Sequence, residues 1–181
     1  YVLCTNLAPL KDEHLEFLKE HEILVSTSLD GPAVLHDQNR PSAQGKASHE
    51  IVTRNIRRAQ EALGKHAVSA LMTTTRASLK FSREIIDEYL RMDMGSVFLR
   101  ELNPFGFAVK TKSAIGYTST DFMKFYKETL AYIIEINRQG RTFSEAFASM
   151  VLTKAFTPWP IGFVDLQSPS GAGMGVCVYN Y

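Results

Sequence analysis

Short apolar runs alternate along the chain with stretches in which apolar positions recur every three or four residues. The runs fall at residues 1–5, 23–28, 68–73 and 97–100 and read as strands. Leu15 and Leu18 mark one face of a helix over residues 11–20. Val52, Ile56, Ala59 and Leu63 form a longer stripe from residue 48 onward, and Ile85, Ile86, Tyr89 and Leu90 form a third. Gly64 and Gly95 stand where the second and third helices need a left-handed closing residue. Strands that alternate with helices of this length predict repeated βα units and a parallel α/β sheet, as part of a barrel or of a doubly wound fold.

The pattern changes after residue 100. A loop over residues 101–116 contains Asn-Pro-Phe-Gly, and helical stripes follow at residues 119–138 and 143–153. The tail is rich in Pro, Gly and Ser before it turns strand-like. Three segments are expected: a core at 1–117, a helical segment at 118–155, and the start of a C-terminal extension at 156–181.

Composition narrows the class. The chain has 181 residues, 45% of them apolar and 22% charged, enough for one ordinary core. Twenty basic residues against nineteen acidic ones give a net charge of +1, so no bulk field recruits nucleic acid or an anionic membrane. No apolar run reaches membrane-spanning length and no charged leader opens the chain, which predicts a cytoplasmic domain. Cys4 and Cys177 each lie in an apolar, strand-like context, as expected of reduced, buried thiols not bonded to each other. The chain starts at Tyr1 in a strand already under way and stops inside another alternation, as a piece of a longer protein would.

Parallel strands deliver their C-terminal ends to one face, so Asn6, Ser28, Thr75 and the Leu102-Asn103 pair are expected around one opening. The segment at 26–40, STSLDGPAVLHDQNR, ends a strand at Asp-Gly-Pro and continues as a polar loop to Arg40. The alternative reading is that Asn6 and Asp30 only form turns. His36 and Asp37 are adjacent rather than three or four residues apart, which suits an Asp cap better than a metal pair. His14, His21, His49 and His66 fall on polar helix faces or ends and read as solvated. Arg54, Arg57, Arg58 and Lys65 form a basic face without interleaved aromatics, a solvated surface rather than an RNA site. SGAGMG precedes a strand instead of a helix and so lacks the dipole of a phosphate loop.

The segment at 26–40 is similar to the Ser-x-Asp-Gly-Pro…His-Asp-x-x-Arg stretch of radical S-adenosylmethionine enzymes that modify peptides and proteins, among them the anaerobic sulfatase maturases. AVSALMTTTRASL, EIIDEYL and VFLRELNPFGFAVKT resemble the maturase of the His-Xaa-Ser peptide system within that group. The resemblance implies a fragment of a partial (β/α)6 TIM-like barrel followed by the start of an auxiliary, SPASM-like domain. It also implies a cofactor, S-adenosylmethionine, and a 4Fe-4S cluster whose three cysteines, in Cys-x3-Cys-x2-Cys, are expected upstream of Tyr1. A peptide or protein substrate and a reductant protein are the implied partners. On this resemblance, Ser28 and Arg40 hold the methionyl carboxylate, Asn6 and Thr75 lie near the cofactor, and Leu102 packs against the adenine. The catalytic residue is not identified. Relatives open the auxiliary domain with Cys-Gly-x-Gly, and Ser170 stands at the matching position, so Ser170 and Cys177 are expected to bind no metal.

Two readings compete. An ordinary barrel enzyme of aldolase or isomerase type would need Lys110 or Lys112 as a desolvated amine nucleophile. A noncatalytic peptide-binding module would pair the strand at 176–179 with an extended partner.

Overall fold

Among the described residues every strand pair is parallel, and the buried face of the main sheet lies under the helices. The computed structural model describes residues 1–42, 45, 47–103 and 106–161. In chain order the elements are β1 (Val2–Cys4), α1 (Asp12–Glu20), β2 (Leu24–Ser28), α2 (Ala33–Asn39), α3 (His49–Leu63), β3 (Val68–Thr73), α4 (Ser82–Arg91), β4 (Ser96–Val97), β5 (Leu99–Arg100), α5 (Phe107–Lys110), α6 (Lys112–Ile115), α7 (Ser119–Arg138), β6 (Ser144–Glu145) and α8 (Ala146–Phe156). The main sheet runs β1-β2-β3-β5, in the order of the sequence, and β4 pairs separately with β6. This is the α/β architecture expected of a partial TIM-like barrel.

The register shows which side chains share a face. Val25 lies level with Val68, Thr27 with Ala70, and Met72 with Leu99, and all six are buried beneath the helices. Ser26 lies level with Ser69, Ser28 with Leu71, and Thr73 with Arg100; these six point to the opposite face and are half-buried or exposed. A sheet with one apolar face covered and one mostly polar face open is a bowl. The core continues outward through Leu15 and Leu18 of α1, Val52 and Ile56 of α3, and Ile85, Ile86 and Tyr89 of α4. Phe125, Ile133 and Ile136 of α7 close it against α4. A capping box between Thr118 and Asp121 starts α7.

Several sequence expectations need correction. The apolar run at 97–100 is two strands broken at Phe98. The break exchanges neighbours, and Glu145 satisfies it: Oε1 accepts the Leu99 N–H at 3.1 Å, and Oε2 accepts the Tyr126 hydroxyl at 2.6 Å. Residues 144–145 are consequently strand, not the first turn of a helix. The segment before Arg40 is no open loop but α2, seven residues long, with Pro32 setting its entry at φ −61°. The loop at 101–116 contains the single turns α5 and α6. Gly64 does close α3 with φ +93°, but after α4 the left-handed position is taken by Asp93, at φ +55°, and not by Gly95. Cys4 is exposed, on the bowl side of the edge strand, instead of buried. Cys177, Ser170 and the strand at 176–179 lie outside the described residues. Among the described residues no helix is long and apolar enough to cross a membrane.

Candidate functional site

The C-terminal ends of β2, β3 and β5 meet at the rim of the bowl, where α2 places Arg40 beside them. Asp30 organises this rim. It is 1% exposed, although a buried carboxylate is costly unless its lone pairs are filled. They are filled: Oδ1 accepts the Thr73 N–H at 3.0 Å and Oδ2 accepts Arg40 Nε at 2.8 Å. Arg40 Nη2 also reaches Thr73 Oγ1 at 3.4 Å. The guanidinium is therefore held by its inner edge, while Nη1 makes no hydrogen bond among the described residues and the side chain keeps 35% exposure. A guanidinium fixed through Nε still offers the end-on fork of Nη1 and Nη2 to an anion.

Ser28 sits at the end of β2 on the open face, half-buried, and its hydroxyl makes no hydrogen bond among the described residues. Asn6 extends the β1–β2 register to the level of Ser28, but its Oδ1 accepts the Ala8 N–H at 3.0 Å in a local turn. Thr75 is buried. Its hydroxyl donates to Asn39 Oδ1 at 3.1 Å, which ties the turn after β3 to the end of α2. The structure thus places Ser28 and Arg40 at the open rim and Thr75 behind it. Leu102 lies farther along, half-buried, with its N–H donated to the Tyr117 hydroxyl at 2.7 Å. It lines a largely apolar cavity of about 1220 Å³ together with Phe98, Arg100, Tyr126, Phe147 and Val151. Phe98, Arg100 and Leu102 alternate along one side of the chain, so this cavity continues the bowl beyond β5. Burial, outweighing other influences, pushes the Tyr117 hydroxyl up to about 12, so it stays neutral while it accepts the Leu102 N–H.

Three groups at the site went unrecognised in the sequence. Asp30, which the sequence leaves as either a polar group at a strand end or a turn former, is the anchor of Arg40. Asn39 carries a buried Nδ2 without a partner, next to Arg40 and bonded to Thr75. His36 is 1% exposed; its Nδ1 accepts the Asp30 N–H at 3.3 Å, and its Nε2 is buried with no partner. Burial lowers the His36 pKa, and His49 and Arg40 work in the same direction against Asp30 and Asp37. His49, expected to be solvated, is a correction: it is buried and its Nε2 lies 2.7 Å from Glu88. Its N–H, with that of Ser48, donates to Asp37 Oδ1 at 2.8 and 2.7 Å, the cap expected of Asp37. The spacing of Asp30, His36 and Arg40 around one short helix was the available signal, hidden because α2 is too short to show a stripe.

The residues present fit one implied group and not the other. A half-buried hydroxyl, an anchored guanidinium with a free edge and an adjoining apolar cavity suit a zwitterionic ligand with a carboxylate and a flat ring, as in S-adenosylmethionine. A cluster finds no home: among the described residues no three His, Cys, Asp or Glu side chains gather as metal ligands, and Cys4 is alone. Lys110 and Lys112 are exposed, so neither is the desolvated amine an aldolase-type site would need.

Comparison with known proteins agrees with this architecture. No family model matches the chain. A 64-residue stretch is 41% identical to a serine-type anaerobic sulfatase-maturating enzyme of Bacteroides thetaiotaomicron, covering 35% of this chain and 14% of that protein. A 70-residue stretch is 37% identical to an uncharacterized Synechocystis protein, covering 39% of this chain and 17% of that one. Among solved structures, native anSMEcpe, an anaerobic sulfatase-maturating enzyme, with bound AdoMet and the Kp18Cys peptide matches 86% of this chain and 42% of its own, at a TM-score of 0.72 and 23% identity. The same enzyme with AdoMet alone gives 0.69. The fold is thus that of the partial barrel of radical S-adenosylmethionine enzymes, and the chain spans less than half the length of the proteins it resembles.

Proposed function

We propose that this chain is the part of a radical S-adenosylmethionine maturase that binds the cofactor's amino-acid end and faces a peptide substrate. The observation that carries the reading is the anchored Arg40: a buried carboxylate holds the guanidinium at the C-terminal rim of a parallel sheet, beside the free hydroxyl of Ser28. In this reading Arg40 Nη1 and Nη2 grip the methionyl carboxylate and Ser28 adds a donor. Leu102 and the cavity walls take the adenine, and Asn6 lies near the cofactor at the rim. Thr75 supports the site from behind by holding Asn39.

A 4Fe-4S cluster, its three cysteines expected upstream of Tyr1, would supply the electron for reductive cleavage of bound S-adenosylmethionine to a 5′-deoxyadenosyl radical. This chain's own part is to bind and orient the cofactor and to exclude water along the apolar cavity wall. A peptide or protein is the substrate class, with a reductant protein delivering the electron. The sequence encoded upstream should contain the three-cysteine loop. The protein that carries this chain, reconstituted anaerobically with iron and sulfide and given dithionite, should release 5′-deoxyadenosine from S-adenosylmethionine. Iron incorporation without 5′-deoxyadenosine would defeat the proposal.

A further inference from the structure

We propose that His36 is a positioning residue for Arg40: its neutral ring holds Asp30, whose carboxylate holds the guanidinium, and protonation of the ring lets Asp30 go. The proposal rests on the reading of Arg40 as the carboxylate fork. His36 meets the pair from two sides. Its Nδ1 accepts the Asp30 N–H at 3.3 Å, and its carbonyl accepts the Arg40 N–H at 2.8 Å. Asp30 then spans to Thr73 and to Arg40 Nε. The ring bond to the Asp30 N–H thus fixes the backbone of the residue whose carboxylate holds the guanidinium.

The accepting Nδ1 fixes the tautomer: a ring that accepts at Nδ1 is neutral with its proton on Nε2. That proton is buried with no partner, and the ring lies edge-on against His49, with centroids 5.5 Å apart. A second proton would have to go on Nδ1, which then could no longer accept from Asp30. It would also place a charge among groups that oppose it. Arg40 is cationic on the same helix, and the His49 ring packs from α3. Beyond His49, Glu88 is already occupied by His49 and Arg91 of α4. Asp30 and Asp37 favour the charge, but Asp30 is engaged by Thr73 and Arg40 and Asp37 by Ser48 and His49. Tyr89, the other titratable group packed against this loop, donates to the Leu29 carbonyl at 2.8 Å and stays neutral because burial raises its pKa. The lowered His36 pKa agrees with this geometry and puts the release on the acid side of its ordinary 6.5.

The experiment follows the His36 imidazole and the Arg40 Nε–H by NMR in the labelled protein, from about pH 8 to about pH 5. The Arg40 Nε–H signal should be sharp at neutral pH and should broaden away with the midpoint of the His36 ring. In His36→Asn, whose amide oxygen can still accept from Asp30 but does not titrate, the signal should persist across the range. In His36→Leu, which cannot accept, it should be absent at every pH. The inference is overturned if the signal is lost at the same pH in His36→Asn, or if it survives in His36→Leu. S-adenosylmethionine affinity, read in parallel, should weaken roughly tenfold in His36→Leu at neutral pH. Arg40 signals that behave as stated, with an affinity that ignores them, would leave His36 as the clamp and reject only the ligand assigned to Arg40.

Discussion

Glu88 is ionised although it is only 7% exposed, because it receives His49 Nε2 and two nitrogens of Arg91, at 2.6 and 2.8 Å. Burial pushes its pKa up, and the Arg91 and His49 hydrogen bonds together outweigh burial, leaving it at about 2. A carboxyl depressed in the folded state stabilises the fold above its ordinary 4.5 and loses that contribution as pH falls toward 2. With Arg91 half exposed, the contribution is about 2 kcal/mol. Glu88→Gln should therefore lower the melting temperature at neutral pH and flatten its decline between those two pH values; an unchanged acid limb would contradict this role. The half-buried Asp37 contact is smaller in scale. Asp37→Ala removes the acceptor for two N–H groups at the start of α3 and should cost about 1 kcal/mol, read from denaturant unfolding.

At the scale of elements, the turn between β2 and α2 decides where Arg40 stands. Gly31 has φ +127°, and a Cβ there would lie 2.9 Å from Ile85 Cγ1 and 3.3 Å from Leu35 Cδ2. Gly31→Ala combines backbone strain with a clash against a buried helix and should destabilise by about 2–3 kcal/mol, a loss of several degrees in melting temperature. A change within the error of calorimetry would show that the turn can relax. The strands and long helices were legible in the sequence because their apolar periods extend over many residues, as the stripe from Val52 to Leu63 does. What was not legible depends on partners remote in sequence. The strand 97–100 breaks because Glu145 comes to Leu99 from β6, and His49 is buried because Glu88 comes to it from α4. No local pattern around Leu99 or His49 announces either event. Asp30 and Arg40 could be seen as a pair of polar residues near a strand end, but their direct bond required α2, whose two buried positions are too few to show a period.

For the whole molecule, the burial pattern separates support from function. One face of the sheet packs under the helices, and the other carries Ser26, Ser28, Ser69, Thr73 and Arg100 toward an open bowl that runs into the apolar cavity. On this division rests the proposal that the rim at Ser28 and Arg40 binds the carboxylate of S-adenosylmethionine. Arg40 keeps 35% exposure, so its loss opens no cavity in the apolar core; it does leave Asp30 Oδ2 unpaired and lowers stability, so binding is compared well below the variant's melting temperature. The decisive measurement is anaerobic calorimetric titration of S-adenosylmethionine into the reconstituted protein that carries this chain, comparing wild type, Ser28→Ala and Arg40→Ala. Losing a charge-assisted contact should cost about 1.5–3 kcal/mol, so Arg40→Ala should bind roughly 10- to 100-fold more weakly, with Ser28→Ala less affected and iron content unchanged. Equal affinity of wild type and Arg40→Ala would contradict the account.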